Sequence, residues 1–246
     1  MNGTMRALPF RSELLDYTFD LHVYLPPNYS RLYTYHLAIA QDGRDYFQLG
    51  KIGRKIEGAI EAGAEDTIVI GVPYPSIGQR REWYHPESRR HYDYMSFLAK
   101  ELLPFLESEF PTPRLSYGRT LMGDSLAGTI SLLTALRYPH TFARIMIHSP
   151  FVNDTVLQAV QTSKEWHPFD IYHAIGLDET KVHTTDGSIQ DFLTPNRKLH
   201  HLLQQGTGRR YYHEFNGGHL WSFWEQDLPR ALQYMLNTQQ ERKDVT

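Results

Sequence analysis

Six short apolar runs constrain this chain more than any other feature of its sequence: Leu37–Ala40, Thr67–Val72, Arg119–Met122, Ala143–Ile147, Ile171–Ile175 and Tyr211–Phe215. Each is four to six residues long and shows no clean alternation of apolar and polar positions. Such runs suit strands covered on both faces, as in a parallel sheet. They are preceded by Leu15-x-Tyr17-x-Phe19-x-Leu21-x-Val23-x-Leu25, whose strict period of two marks a strand with one buried face, ended by Pro26-Pro27-Asn28. Helical patterns lie between the runs. Phe47, Ile52, Ile56 and Ile60 fall near one helical face, as do Met95, Leu98, Ala99, Leu102, Leu103 and Leu106, with Pro104 expected to kink or divide the second. Leu126–Tyr138 reads as a helix stopped by Pro139, and further helices are expected over Thr155–Ser163, Pro195–Gln205 and Gln226–Leu236. Strands alternating with helices imply an α/β fold with a mainly parallel sheet and helices on both faces.

A chain of 246 residues without an internal repeat or linker is expected to form one domain over 1–246, with a frayed polar tail at about 239–246. The complete absence of cysteine excludes thiol nucleophiles, iron–sulfur clusters and cysteine-based zinc sites. A formal charge of −3 argues against nucleic acid as a partner. No apolar stretch approaches the ~20 residues of a membrane span, and Met1–Arg11 lacks the apolar core of a signal peptide. A cytoplasmic protein with no membrane partner is the expectation; the sequence leaves its oligomeric state open.

The first chemical motif is Met122-Gly123-Asp124-Ser125-Leu126-Ala127-Gly128, placed where a short apolar strand gives way to a helix. That is the setting of a nucleophile elbow, in which a sharp turn projects the serine hydroxyl from the sheet edge. The usual pattern is G-x-S-x-G; here Ala127 occupies the second small position. Without partners elsewhere, Ser125 could equally be a helix cap.

The partner base is expected in a loop after the last strand. Asn216-Gly217-Gly218-His219 meets that requirement, since two glycines allow the loop to turn back over Ser125. His213-Glu214 with His219 only imitates a zinc motif: its spacing is H-E-x-x-x-x-H, and Gly217-Gly218 would break the helix that such a site needs. No metal or cofactor is implied. In the order Ser, acid, His, the acid falls after Ile171–Ile175, in Gly176-Leu177-Asp178-Glu179-Thr180. In folds of this kind it commonly lies three residues after such a glycine, which favours Glu179. Asp178 competes closely, and Asp186 and Asp191 lie further along the same loop. Two backbone N–H groups should hold the developing oxyanion: Leu126, following the nucleophile, and Arg44, in the Gln41-Asp42-Gly43-Arg44 loop after an early strand.

With these residues placed, the sequence resembles the esterase D and enterochelin-esterase-like group of α/β-hydrolases, from about Tyr17 to Leu236. The landmarks are Tyr24-Leu25-Pro26-Pro27-Asn28-Tyr29, the Asp42-Gly43 loop, Arg81-Glu82-Trp83-Tyr84-His85-Pro86, Phe97–Pro104, the Ser125 elbow, Tyr138-Pro139, Ser149-Pro150 and Gly217-Gly218-His219-x-Trp221 with Trp224. The resemblance implies Ser125 as nucleophile and His219 as base, with the choice of acid left soft. It also implies an α/β-hydrolase fold without a large lid, since the core elements use nearly the whole chain. Tyr84, Phe151, Trp221 and Trp224 are candidates to line the pocket. The group spans carboxylesterases, S-formylglutathione hydrolase, siderophore trilactone esterases, feruloyl esterases and mycolyltransferases. The expected activity is therefore hydrolysis of a small or medium carboxylic ester through an acyl-enzyme. The competing readings are acyl transfer by the same unit and a non-catalytic binding protein.

Overall fold

The computed structural model describes residues 2–163 and 165–237; the tail expected to fray, 239–246, lies outside the described residues. An eight-stranded sheet has the order β1-β2-β4-β3-β5-β6-β7-β10. Its strands are β1 (Thr4–Ser12), β2 (Tyr17–Leu25), β3 (His36–Gln41), β4 (Thr67–Val72), β5 (Arg119–Asp124), β6 (Arg144–His148), β7 (Asp170–Gly176) and β10 (Arg210–Phe215). β1 pairs antiparallel with β2, and β2 with β4; every pairing from β4 to β10 is parallel. The fold is the α/β-hydrolase type, with no large lid evident among the described residues.

The short apolar runs lack alternation because both of their faces are covered. Ile68, Ile70 and Val72 of β4 enter one core, whereas Val69 enters the other. Helices α1 (Gly43–Gln48), α2 (Ile52–Glu61) and α9 (Trp221–Leu236) cover the face holding Tyr46, Ile52, Ile56, Leu228 and Met235. Helices α3 (Ile77–Tyr84), α4 (His91–Phe97), α5 (Leu103–Glu109), α6 (Ser125–Arg137), α7 (Asp154–Thr162) and α8 (Leu193–Leu203) cover the opposite face. Each large aliphatic side chain sealed this way contributes about 1.5–3 kcal/mol. No helix among the described residues is long and apolar enough to cross a membrane.

Some elements depart from expectation. The N-terminal strand β1 carries no apolar pattern because it is an exposed sheet edge, with Pro9 and two arginines along it. The strand expected from Leu15 starts at Tyr17, because Asp16 turns with φ of 50°. Pro104 does not break its helix, whose backbone stays helical through it; the hydrogen bonding changes instead. A π-helical turn over Leu98–Leu102 precedes it, with the Leu103 N–H reaching back to the Leu98 carbonyl. The final helix begins at Trp221 rather than Gln226 and runs through Pro229. α3 had no counterpart among the expected helices.

The parallel strands place their C-terminal ends at one edge of the sheet. The loops after β3, β5, β6, β7 and β10 therefore gather there, where open α/β sheets bind ligands.

Candidate active site

β5 ends at Asp124 in extended backbone (φ −114°, ψ 154°), and α6 starts at the next residue. Ser125 makes the turn with φ of 51°, in the left-handed region that costs a non-glycine residue about 1 kcal/mol or more. The turn is so tight that a Cβ on Gly123 would lie 2.3 Å from the Ala127 carbonyl. Gly128 packs against Gly123 and Pro150, while the methyl group of Ala127 is accommodated in the core. The departure from G-x-S-x-G thus falls at a position that has room for one carbon. The loop after β6 is stitched to the elbow: Phe151 N–H donates to the Ser125 carbonyl at 3.2 Å, and Thr129 Oγ1 donates to the Phe151 carbonyl at 2.7 Å.

The loops after β7 and β10 lie side by side. Leu177 N–H donates to the Phe215 carbonyl (2.9 Å) and Asp178 N–H to the Gly217 carbonyl (3.0 Å). A Cβ at Gly176 would stand 2.3 Å from the Gly217 oxygen, so glycine is required for this approach. The pairing brings His219 Nδ1 to 2.6 Å from Glu179 Oε2. Glu179 is wholly buried and doubly anchored. Its Oε1 accepts the Gly176 N–H at 2.9 Å and the Ser149 hydroxyl at 2.6 Å, while its carbonyl accepts the Phe192 and Leu193 N–H groups at the start of α8. Since an ionised carboxylate only accepts, the proton of the neutral imidazole belongs on Nδ1 and the lone pair on Nε2. The ring is held edge-on to Trp224 (centroids 4.9 Å, 87°) and tilted against Phe192 (4.5 Å).

Ser125 and His219 line the same cleft of about 90 Å³, together with Leu126, Phe151 and Phe192. Its far wall is formed by the end of α3 and by a short hairpin, β8 (Val182–His183) with β9 (Ile189–Gln190). Arg81 at the end of α3 pairs with Asp186 at the hairpin tip at 2.9 Å.

The other carboxylates in that region go elsewhere. Asp178 is exposed. Asp186 binds Thr184, Ser188 and Arg81, and these hydrogen bonds, with Arg81, hold its carboxyl below the usual range. Asp191 accepts the Thr194 N–H at the start of α8.

Three pocket candidates require correction. Tyr84 is fully buried, its hydroxyl 3.4 Å from that of Tyr94, so it belongs to the core beneath the cleft rather than to its lining. Trp221 is the first residue of α9 and turns to the opposite face, edge-on to Tyr46 (4.9 Å, 88°) and over Gly50. Trp224, 4% exposed, backs the His219 ring instead of lining the cleft. Phe151 does line it. Arg44 lies in the first turn of α1, at the end of β3 and beside β5; its side chain is exposed, and a first-turn N–H has no carbonyl of its own helix to bind.

Beneath the elbow lies a buried charge cluster that sequence reading missed. Asp42, with φ of 56°, receives Arg80 Nε at 2.8 and 2.9 Å. Nothing in the spacing of residues 42 and 80 announces the pair. Asp124 is buried next to it, with no partner for Oδ1 among the described residues. Burial, reinforced by Asp42, pushes its carboxyl well above the usual range and favours the neutral acid directly before Ser125.

Residues 12–235 match the family described as Putative esterase. The chain is 48% identical over 236 residues to the uncharacterized protein YjcH of Bacillus subtilis (strain 168), covering 96% of this chain and 98% of the relative. It is 25% identical over 192 residues to an acetyl esterase of Caldicellulosiruptor saccharolyticus, covering 68% of this chain and 71% of that protein. Among solved structures, a ferulic acid esterase superposes with a TM-score of 0.78 at 13% identity, covering 96% of this chain and 99% of that one.

Proposed function

Because this chain belongs to the Putative esterase family, we propose that it hydrolyses a small or medium carboxylic ester by a serine mechanism with an acyl-enzyme intermediate. The observation that carries the reading is the His219–Glu179 pair at 2.6 Å, opening on the same cleft as Ser125.

His219 Nε2 takes the Ser125 proton as Oγ attacks the ester carbonyl, and Glu179 stabilises the imidazolium that forms. The N–H groups of Leu126 and Arg44 hold the tetrahedral oxyanion; each donor is worth about 2.7–4 kcal/mol in the transition state. Collapse expels the alcohol, which receives its proton from His219. Water, deprotonated by His219, then attacks the acyl-Ser125 ester and releases the acid. The left-handed backbone of Ser125 supports this role, since strain of that kind persists where it holds a reacting group in position. The volume of the cleft and the kinship with an acetyl esterase favour a short acyl group.

Purified protein should turn over a short-chain nitrophenyl ester and acquire a fluorophosphonate label at Ser125. Ser125→Ala should lower turnover by about 10⁴-fold or more while leaving the fold intact. Equal rates for the two proteins would overturn the proposal.

A further inference from the structure

Ser149-Pro150 has no part in the reaction steps above, yet the hydroxyl of Ser149 touches the group behind the base. Ser149 is fully buried directly after β6, and its backbone adopts φ of 45°, left-handed like Asp42 and Ser125 at the same sheet edge. Its N–H is bound to the Ala174 carbonyl at 2.7 Å. Trp224 Nε1 lies 3.1 Å from Ser149 Oγ. An indole N–H can only donate, so Ser149 Oγ must accept there, and its own proton is left for Glu179 Oε1 at 2.6 Å. A directed chain results: Trp224 to Ser149, Ser149 to Glu179, Glu179 to His219.

We propose that Ser149 is a positioning residue for the reaction, its hydroxyl holding the Glu179 carboxylate in register with His219; this rests on the serine-esterase reading above. Glutamate carries one more rotatable bond than aspartate, so a buried glutamate acid needs its second oxygen fixed if the first is to meet the imidazole. Gly176 N–H and Ser149 O–H fix it from two directions. The left-handed backbone of Ser149 goes with a hydroxyl turned toward Glu179. Trp224 serves twice, orienting Ser149 through its N–H and the His219 ring through its edge.

The charged and titratable groups around His219 are Glu179 behind the ring, Arg80, Arg81 and His85 from α3 and its end, and His183 and Asp186 from the hairpin. Of these, Glu179 alone is hydrogen-bonded to Ser149 among the described residues. Loss of the Ser149 hydroxyl therefore reaches His219 through that carboxylate.

The test uses Ser149→Gly, which tolerates the left-handed backbone and removes only the hydroxymethyl group, with Ser149→Ala as a second variant. With a nitrophenyl ester, kcat should fall about 10-fold with KM unchanged. A less well placed carboxylate supports the imidazolium less, so the acid limb of the kcat/KM profile should move to lower pH. Trp224→Phe, which keeps a ring against His219 but removes the donor to Ser149, should produce a smaller change in the same direction. The ring titration of His219, followed by NMR and assigned by its loss in His219→Gln, reads the same coupling whether or not any ester is turned over. A lower midpoint in Ser149→Gly supports the proposal, even if the wild type hydrolysed no ester and the serine-esterase reading fell. Wild-type kcat, rate profile and His219 midpoint in both Ser149 variants would overturn it and leave the esterase reading standing.

Discussion

Among the described residues, two histidine–carboxylate pairs sit at the C-terminal edge of the parallel strands, and one of them faces a cleft. His219 meets Glu179 at 2.6 Å, with its other nitrogen available to the space shared with Ser125. His148, the last residue of β6, meets Asp227 of α9 at 3.0 Å, and the Tyr172 hydroxyl donates to the same carboxylate oxygen at 2.6 Å. The side chain of His148 is 1% exposed, and its Nδ1 is buried without a partner among the described residues. Burial alone would raise the Asp227 carboxyl, but the bonds from His148 and Tyr172 outweigh it and hold it below the usual range. The second pair fastens α9 to the sheet beneath the loop that carries His219. A histidine bound to a carboxylate is therefore not by itself a catalytic element; on the proposed reading, what sets His219 apart is the cleft it shares with Ser125.

Substituting the two acids separates these roles most sharply. Glu179→Gln should reduce kcat by about 10³–10⁴-fold, because the amide can donate to Nδ1 and so favours the wrong imidazole tautomer. Its thermal stability should change little. Asp227→Asn should do the reverse, with kcat within about 3-fold of wild type and a loss of about 1–3 kcal/mol in denaturant unfolding. Matched effects in the two variants would dissolve the distinction.

Acid should destabilise the buried structural histidines selectively. His173 is enclosed and bound to Asn196 at 2.7 Å; burial lowers its pKa to about 4. The folded protein then resists a proton that the unfolded chain accepts near pH 6.5. The stability is complete above pH 6.5 and is lost as the pH falls toward 4, by up to about 3 kcal/mol. Unfolding free energies at pH 7 and pH 5 should differ in that direction, and His173→Gln should flatten the difference.

The smallest effect concerns the rim of the cleft. Arg81 and Asp186 are partly exposed, and solvent screening leaves such a pair little influence on stability. Arg81→Ala should leave kcat and stability near wild type while raising KM by about 2–5-fold.

The sequence by itself determined the fold class and much of the site's outline. Short runs without alternation meant strands covered on both faces, because burial acts on each face separately. A serine between a strand and a helix, and a histidine after two glycines, were legible because tight turns demand small residues at fixed offsets. The place of Glu179 three residues after Gly176 favoured it over Asp178, Asp186 and Asp191. Only the tertiary structure shows which carboxylate meets His219, because the hydrogen bonds from Gly176 and Ser149 that hold it come from packed loops. It also removed Tyr84 and Trp221 from the cleft, because an aromatic side chain satisfies a core and a pocket wall equally well in sequence. Pairs such as Asp42 with Arg80 and His148 with Asp227 join residues far apart in the chain. Local pattern carries no information about such partners; the packing of distant elements chooses them.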